Sequence, residues 1–292
     1  MTIIQNYLSG LRLASRSLKM TTLIYVINLL FALALAIPFY GVITNAAHGS
    51  LQVNKLLEGF NYTAFQEFTD SAKVSIGLLF KEGIWLAILY LLLSIFMAGG
   101  ILKTLDNGAV FKGKEFFANG SKFFFRFLRL TLYFIIIHAL VILIIWLPLS
   151  IIITTLAKNA DSEKALFYAA IAGAVLHLLI IIYLLIVAHY TRFMIITEDT
   201  TKVLKKIWTS VKFVSRKFFS TYPLYLLLLA NLVLLILVFK FLSGVVGMTT
   251  GFTIFIMFLL QQIFIWSRIW LKIWIYGSQL EYYITSPHAP SC

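Results

Sequence analysis

The sequence predicts an all-α polytopic membrane protein, with six transmembrane helices arranged as three units of one interfacial helix followed by a helical hairpin. Three observations carry this expectation. First, 61% of the 292 residues are hydrophobic and only 12% are charged, with a mean hydropathy of +0.95; a soluble domain carries about 25% charged residues. Second, six apolar stretches bounded by charge lie at about 22–43, 84–102, 130–157, 165–190, 220–239 and 241–267. About 20 apolar residues suffice to cross a hydrocarbon core, and these run apolar throughout, without the alternation of a barrel strand. Third, a basic amphipathic segment recurs before each odd-numbered span.

The repeat starts at Gly10, Gly120 and Ser210. Aligned there, Arg12, Lys122 and Lys212 correspond, as do Arg16, Arg126 and Arg216; a third basic position is kept in Lys19 and Arg129 and becomes Phe219 in the last copy. A basic pair four residues apart shares one helical face. Leu11, Ala14 and Leu18, or Phe123, Phe124 and Phe127, then face elsewhere. That division suits a helix lying in the interface, its apolar side in the acyl boundary and its cations at the head groups. Arg12, Arg16, Lys122, Arg126, Lys212 and Arg216 are therefore the expected head-group contacts, and anionic lipid an expected partner.

The first span contains Ala34-Leu35-Ala36, the small-x-small form of a signal-peptide cleavage site. The long approach to it and the apolar continuation to Ile43 make it an uncleaved helix. The outer loop, 44–83, sets Leu56, Leu57, Phe60, Tyr62, Phe65 and Phe68 among Glu58, Glu67, Asp70 and Lys73, a spacing that suits a short amphipathic helix. Asn61-Tyr62-Thr63 matches a glycosylation acceptor, a triplet that is common by chance. Gly99-Gly100, Gly173 among its alanines, and Gly244, Gly247 and Gly251 read as positions of close helix approach. The third and fourth spans exceed the length needed and tilt or protrude. Pro38, Pro148 and Pro223 fall in or at the ends of spans, with Pro148 placed to kink its helix. Residues 1–285 read as a single membrane domain, and 286–292 as a disordered tail.

The formal net charge is +13. Eighteen of the 24 Lys and Arg residues fall in the N-terminal segment, the loops after the second and fourth spans, and the C-terminal segment. The positive-inside rule then puts both termini in the cytoplasm. The membrane accounts for the basic excess, so no nucleic-acid partner is implied. Cys292, the sole cysteine, permits no internal disulfide.

Polar groups inside apolar spans are costly and so are functional candidates. Here they are Asn28, His138, His177, His189, Asn231, Gln261 and Gln262. None is a carboxylate, Lys or Arg, which weighs against an ion-coupled pump. His177 and His189, 12 residues apart, are about 120° apart round a helix and roughly 18 Å along it, so they cannot share an ion. His138 can meet His177 from a neighbouring helix and form a bis-His pair, but no motif accompanies it. Hydrogen bonding between helices is the simpler reading, and no cofactor or metal is expected. Trp266, Trp270 and Trp274 form a stripe, either an interfacial anchor or a surface for a partner helix. Asp106, Glu115, Glu198 and Asp199 read as solvated loop charges. No hydrolase, metalloprotease, phosphate-loop or dinucleotide motif occurs, so no enzyme is expected.

Residues Ile24 to Leu30 in the first span, Arg192-Phe193 leading to Glu198-Asp199, and the basic segment before each odd span carry a resemblance. The chain resembles a loose group of bacterial six-helix membrane proteins, including uncharacterised families and the membrane domain associated with glycerophosphodiester phosphodiesterases. The soluble phosphodiesterase domain has no counterpart here, so its activity is not carried over, and the resemblance implies a membrane module of the bacterial inner membrane. The expected function is that of a non-catalytic structural or accessory subunit of a membrane complex, with other membrane subunits as partners. The alternative is a channel or transporter for a lipid or small solute, its path lined by Asn28, His138, His177, Asn231 and Gln261.

Overall fold

A computed structural model describes residues 3–49, 61–159, 164–247 and 250–286. These form nine helices and no strand: α1 (Ile3–Arg16), α2 (Leu18–Gly49), α3 (Tyr62–Ser71), α4 (Lys73–Asp106), α5 (Gly113–Asn159), α6 (Lys164–Thr197), α7 (Val203–Arg216), α8 (Phe218–Val245) and α9 (Gly251–Thr285). Six of them, α2, α4, α5, α6, α8 and α9, are long and apolar enough to cross a membrane. The protein is an all-α, multi-pass membrane protein. It divides into two compact units, Thr22–Ile95 and the rest of the chain.

The helices outlast the apolar stretches that announce them. The second spanning helix starts at Lys73 rather than 84, and the last runs to Thr285 rather than 267. Hydropathy marks only where lipid lies, whereas a helix continues while its backbone groups pair internally. Lys81, Glu82, Arg268 and Lys272 are good helix formers and do not interrupt it. Lys240, expected to separate the last two spans, lies inside α8. A lone lysine can reach an interface along its own stem. The separation comes later, where Val246 turns extended and Thr250 caps α9. There the Thr253 amide donates to Thr250 Oγ1 at 3.3 Å and the Thr250 amide to Thr253 Oγ1 at 3.0 Å. Pro38, Pro148 and Pro223 are all within helices.

In the smaller unit, the Ala64 amide donates to the Asn61 side chain at 3.1 Å, so Asn61 is the N-cap of α3. The expected loop residues Leu56, Leu57, Glu58 and Phe60, and the tail after Ser286, are outside the described residues. In the same unit, Gly41 and Gly77 face open space.

Two of the three repeat copies are separate helices, α1 and α7. The second copy is the opening of the 47-residue α5 and is not a distinct interfacial helix. The breaks at Ser17 and Lys217 are alike. The Ser17 carbonyl accepts from the Thr21 amide at 2.9 Å and hydroxyl at 3.1 Å; the Lys217 carbonyl accepts from the same groups of Thr221 at the same distances. In α5 the matching pair is Phe127 and Thr131, and the hydroxyl bond persists at 2.9 Å without a break. Phe127 is 1% exposed and packs on Phe123, and the helix runs unbroken through the position where the other copies break.

Each copy seats its first small residue on the end of an even-numbered span. In α1, a Cβ at Gly10 would lie 2.6 Å from Ser278 Cα of α9, so the two backbones are in direct contact. In α5, a Cβ at Gly120 would meet the Phe96 carbonyl of α4 at 3.0 Å, and one at Gly100 the Phe116 carbonyl at 2.7 Å. In α7, the Ser210 hydroxyl donates to the Val187 carbonyl of α6 at 2.9 Å. Small residues let helices approach closely where lipid removes the usual hydrophobic drive. Gly173 plays this part against Leu149 within the α5–α6 hairpin, but Gly244 and Gly251 meet nothing and are not packing positions.

The buried side chains of the larger unit gather at these basic ends. They include Leu102, Phe116, Phe123, Tyr190, Phe193, Val214 and Leu280. The apolar windows of the six spans are only 0–33% buried. Gly10→Val is accordingly expected to lower stability by about 1–3 kcal/mol, the usual cost of overpacking, whereas Gly41→Ala is expected to cost nothing. Thermal unfolding of the detergent-solubilised protein reads both.

Candidate functional site at the basic ends of the helices

Burial of one face of α1 and α7 dictates what the other face offers. Asn6, Gly10, Leu13 and Ala14 are buried in α1, and Val203, Ser210, Phe213 and Val214 in α7. The exposed stripes therefore carry Ile4, Leu8, Arg12 and Arg16 on one helix and Leu204, Trp208, Lys212 and Arg216 on the other. Each stripe is apolar at its start and cationic at its end, and the Lys212 ammonium lies 5.4 Å from the Trp208 ring centroid. Among the described residues, none of these four cations forms an ion pair.

The second copy behaves differently. Lys122 and Arg126 both grip Asp199, each at 2.6 Å. Glu198 pairs with Lys206, Asp106 with Lys103 at 2.6 Å, and Glu115 with Lys112 at 2.8 Å. The acidic residues expected as solvated loop charges are thus all paired. The α6–α7 loop is pinned to α5 by Asp199, whose backbone is left-handed at φ 47°, a conformation Asp tolerates better than most residues. Hydrogen bonds from Lys122 and then Arg126 hold its carboxyl below the usual range. Six cations were expected at lipid head groups; four are free for that role and two are engaged within the protein.

Asn28 accepts from the Tyr90 hydroxyl at 3.1 Å within the smaller unit. Asn231 accepts from the Tyr7 hydroxyl at 3.2 Å and donates to the Leu227 carbonyl at 3.1 Å. His138 and His177 do meet: their ring centroids are 5.4 Å apart, with Trp146 at 6.2 Å from His177. The rings are neighbours, but the buried His177 Nδ1 has no hydrogen-bond partner among the described residues, so the hydrogen bonding expected between these helices is not formed there. Gln261 is exposed and Gln262 half-buried. His189 is buried, its Nδ1 2.7 Å from Gln279 Oε1 and its ring between those of Tyr225 and Tyr276. Among the described residues, no group of three or more His, Cys, Asp or Glu is placed to hold a metal ion.

Within the tryptophan stripe, Trp274 packs on a helix of its own chain. Trp274 is 7% exposed, donates through Nε1 to the Tyr7 carbonyl at 2.9 Å, and packs on the Tyr7 ring at 4.7 Å. Trp266 and Trp270 are half-buried. The Gly277-Ser278 pair that seats α1 was readable as a small-residue signal. Tyr7, Tyr90 and Gln279 carried no such signal, because their partners depend on how each helix is rotated.

Comparison with protein-family models, curated proteins and solved structures finds no match for this chain.

The Asp199 clasp has a defined pH dependence. A carboxyl held below its unfolded value of about 4 contributes stability above that value and loses it as pH falls through the depressed one. The contribution of so exposed a pair is under about 1 kcal/mol, so the effect is local. Amide exchange in residues 197–203, corrected for intrinsic rate, is expected to accelerate at pH below about 4, and Asp199→Asn to accelerate it at neutral pH. Unchanged protection in both would remove the clasp from the account.

Proposed function

We propose that the protein is a non-catalytic membrane subunit, a structural or accessory component of a larger membrane complex. In this reading it sits in a bacterial cytoplasmic membrane with both termini on the cytoplasmic side, as the positive-inside rule implies for its basic ends. One observation carries the proposal: the apolar windows of the spans are at most 33% buried within the chain. Long helical faces are left for lipid and for neighbouring subunits. The polarity of Asn28 and Asn231 is taken up by hydrogen bonds to Tyr90 and Tyr7, the kind of contact that holds helices together in lipid, which supports the reading too. The resemblance to six-helix membrane modules fits the same role.

The free cations of α1 and α7 add a lipid surface. Each cation near an anionic leaflet contributes about 1 kcal/mol. Replacing Arg12, Arg16, Lys212 and Arg216 together by Gln is expected to weaken retention of phosphatidylglycerol by the solubilised protein by about three orders of magnitude summed over the four positions. Replacing Lys122 and Arg126 instead should change it far less, because Asp199 already engages them.

Two experiments address the rest. After Cys292→Ser, Lys73→Cys is expected to react with an external thiol reagent while Lys114→Cys and Lys206→Cys do not; the opposite pattern would invert the topology. Extracted from its native membrane in mild detergent, the protein is expected to migrate well above its own 33.2 kDa. Migration as a lone chain whose helices enclose a polar cavity would favour transport instead.

A further inference from the structure

A second group of cations lies apart from those of α1 and α7. Arg192 of α6 is half-buried, and its Nε is buried with no hydrogen-bond partner. The same guanidinium hydrogen-bonds to the Tyr276 side chain of α9. Lys272, one turn before Tyr276 on α9, is exposed and holds its ammonium 5.9 Å from the Tyr276 ring centroid. Tyr276 itself is buried. Two cations from two helices therefore bracket one buried phenol. Next to it, His189 bonds to Gln279, which is 0% exposed and whose Nε2 has no partner.

What this seam offers is donors and positive charge. Among the described residues neither Arg192 nor Lys272 forms an ion pair, and Glu198 and Asp199 are taken by Lys206, Lys122 and Arg126. A guanidinium Nε, an ammonium and an amide NH₂ can only donate. A group with several acceptor oxygens and negative charge completes such a set, and guanidinium geometry matches phosphate oxygens in particular.

We infer that the seam between α6 and α9 binds one phosphate-class oxyanion, held by Arg192 and Lys272 beside Tyr276. A phospholipid head group is the source that fits the surroundings. From Lys272 the same exposed stripe of α9 runs through Arg268, Ile265 and Gln261 to Phe258 and Ile254, a track of the length of a lipid that is charged at its start and mostly apolar beyond. This is a single saturable site, unlike the general attraction of the α1 and α7 cations. It rests on the membrane reading above and not on membership of a complex.

Native mass spectrometry of the full chain, purified and reconstituted with phosphatidylglycerol, tests it. The wild type is expected to keep one lipid at activation energies that strip the others. Lys272→Gln should lower apparent affinity at this site roughly fivefold, and Lys272→Gln with Arg192→Gln roughly thirtyfold. Arg192→Lys should retain most of the binding, and Arg12→Gln with Arg16→Gln should leave the retained lipid in place. Inorganic phosphate provides the second arm. If millimolar phosphate raises the melting temperature of delipidated wild type but not of Lys272→Gln, and no lipid is retained, the oxyanion is free phosphate. Lys272 is exposed, so Lys272→Gln folds and decides the matter where Arg192→Gln does not. Lipid retention and phosphate response that are both identical in wild type and Lys272→Gln would overturn the site, with the unpartnered donors then serving only water. The migration of the native complex is a separate readout, so the two proposals fail separately.

Discussion

The contact of the Gly10 backbone with Gly277 and Ser278 joins the first helix to the last, and the architecture of the larger unit depends on it. In lipid, apolar helices gain little by burying leucines against each other, because the acyl chains are equally apolar. Association must come from close packing and from hydrogen bonds. The small residues at Gly10, Gly99, Gly100, Gly120 and Ser210 supply the first, and the Trp274–Tyr7 and Ser210–Val187 bonds the second. Repeating the device on three even-numbered spans concentrates the packed core at the basic ends.

That concentration has consequences along the whole chain. At the basic ends α9 is buried nearly all round from Ile273 to Leu280, and α1, α6 and α8 all pack on this helix. The α6–α7 loop is tied down by Asp199 and Glu198, so the polar connection adds order where the helices emerge. Toward the apolar middles of the spans the side chains face outward, among them Leu143, Ile144, Phe167, Leu234 and Phe255. A fold that spends its specific contacts at one level leaves the other level to be covered by lipid or by other proteins. The proposed role follows from this division.

Much of this was legible in the sequence. Composition and run length carried the six spans, because spanning lipid is a constraint on every residue of a segment. The repeat was legible because Gly10, Gly120 and Ser210, with their cations at fixed offsets, recur in register. What it could not reveal was that the second copy would be continuous with its span, with the Phe127 ring buried against Phe123. Nor could it reveal that Lys122 and Arg126 would face Asp199, 73 and more residues away. Charges read from sequence have no partners until helices are placed side by side. The extension of α9 to Thr285 was hidden for a related reason: Tyr, Gln, Ser and Trp lower the hydropathy of a segment that is nevertheless core.

The closure of the first helix on the last is the claim most open to direct measurement. Hydrogen exchange of the protein in lipid nanodiscs reads residues 3–16 and 269–283 in the same experiment. Both segments are expected to exchange slowly and open together, and Gly10→Val to release both while leaving α5 protected. Rapid exchange of residues 3–16 alongside slow exchange of 269–283 in the unmodified protein would contradict it.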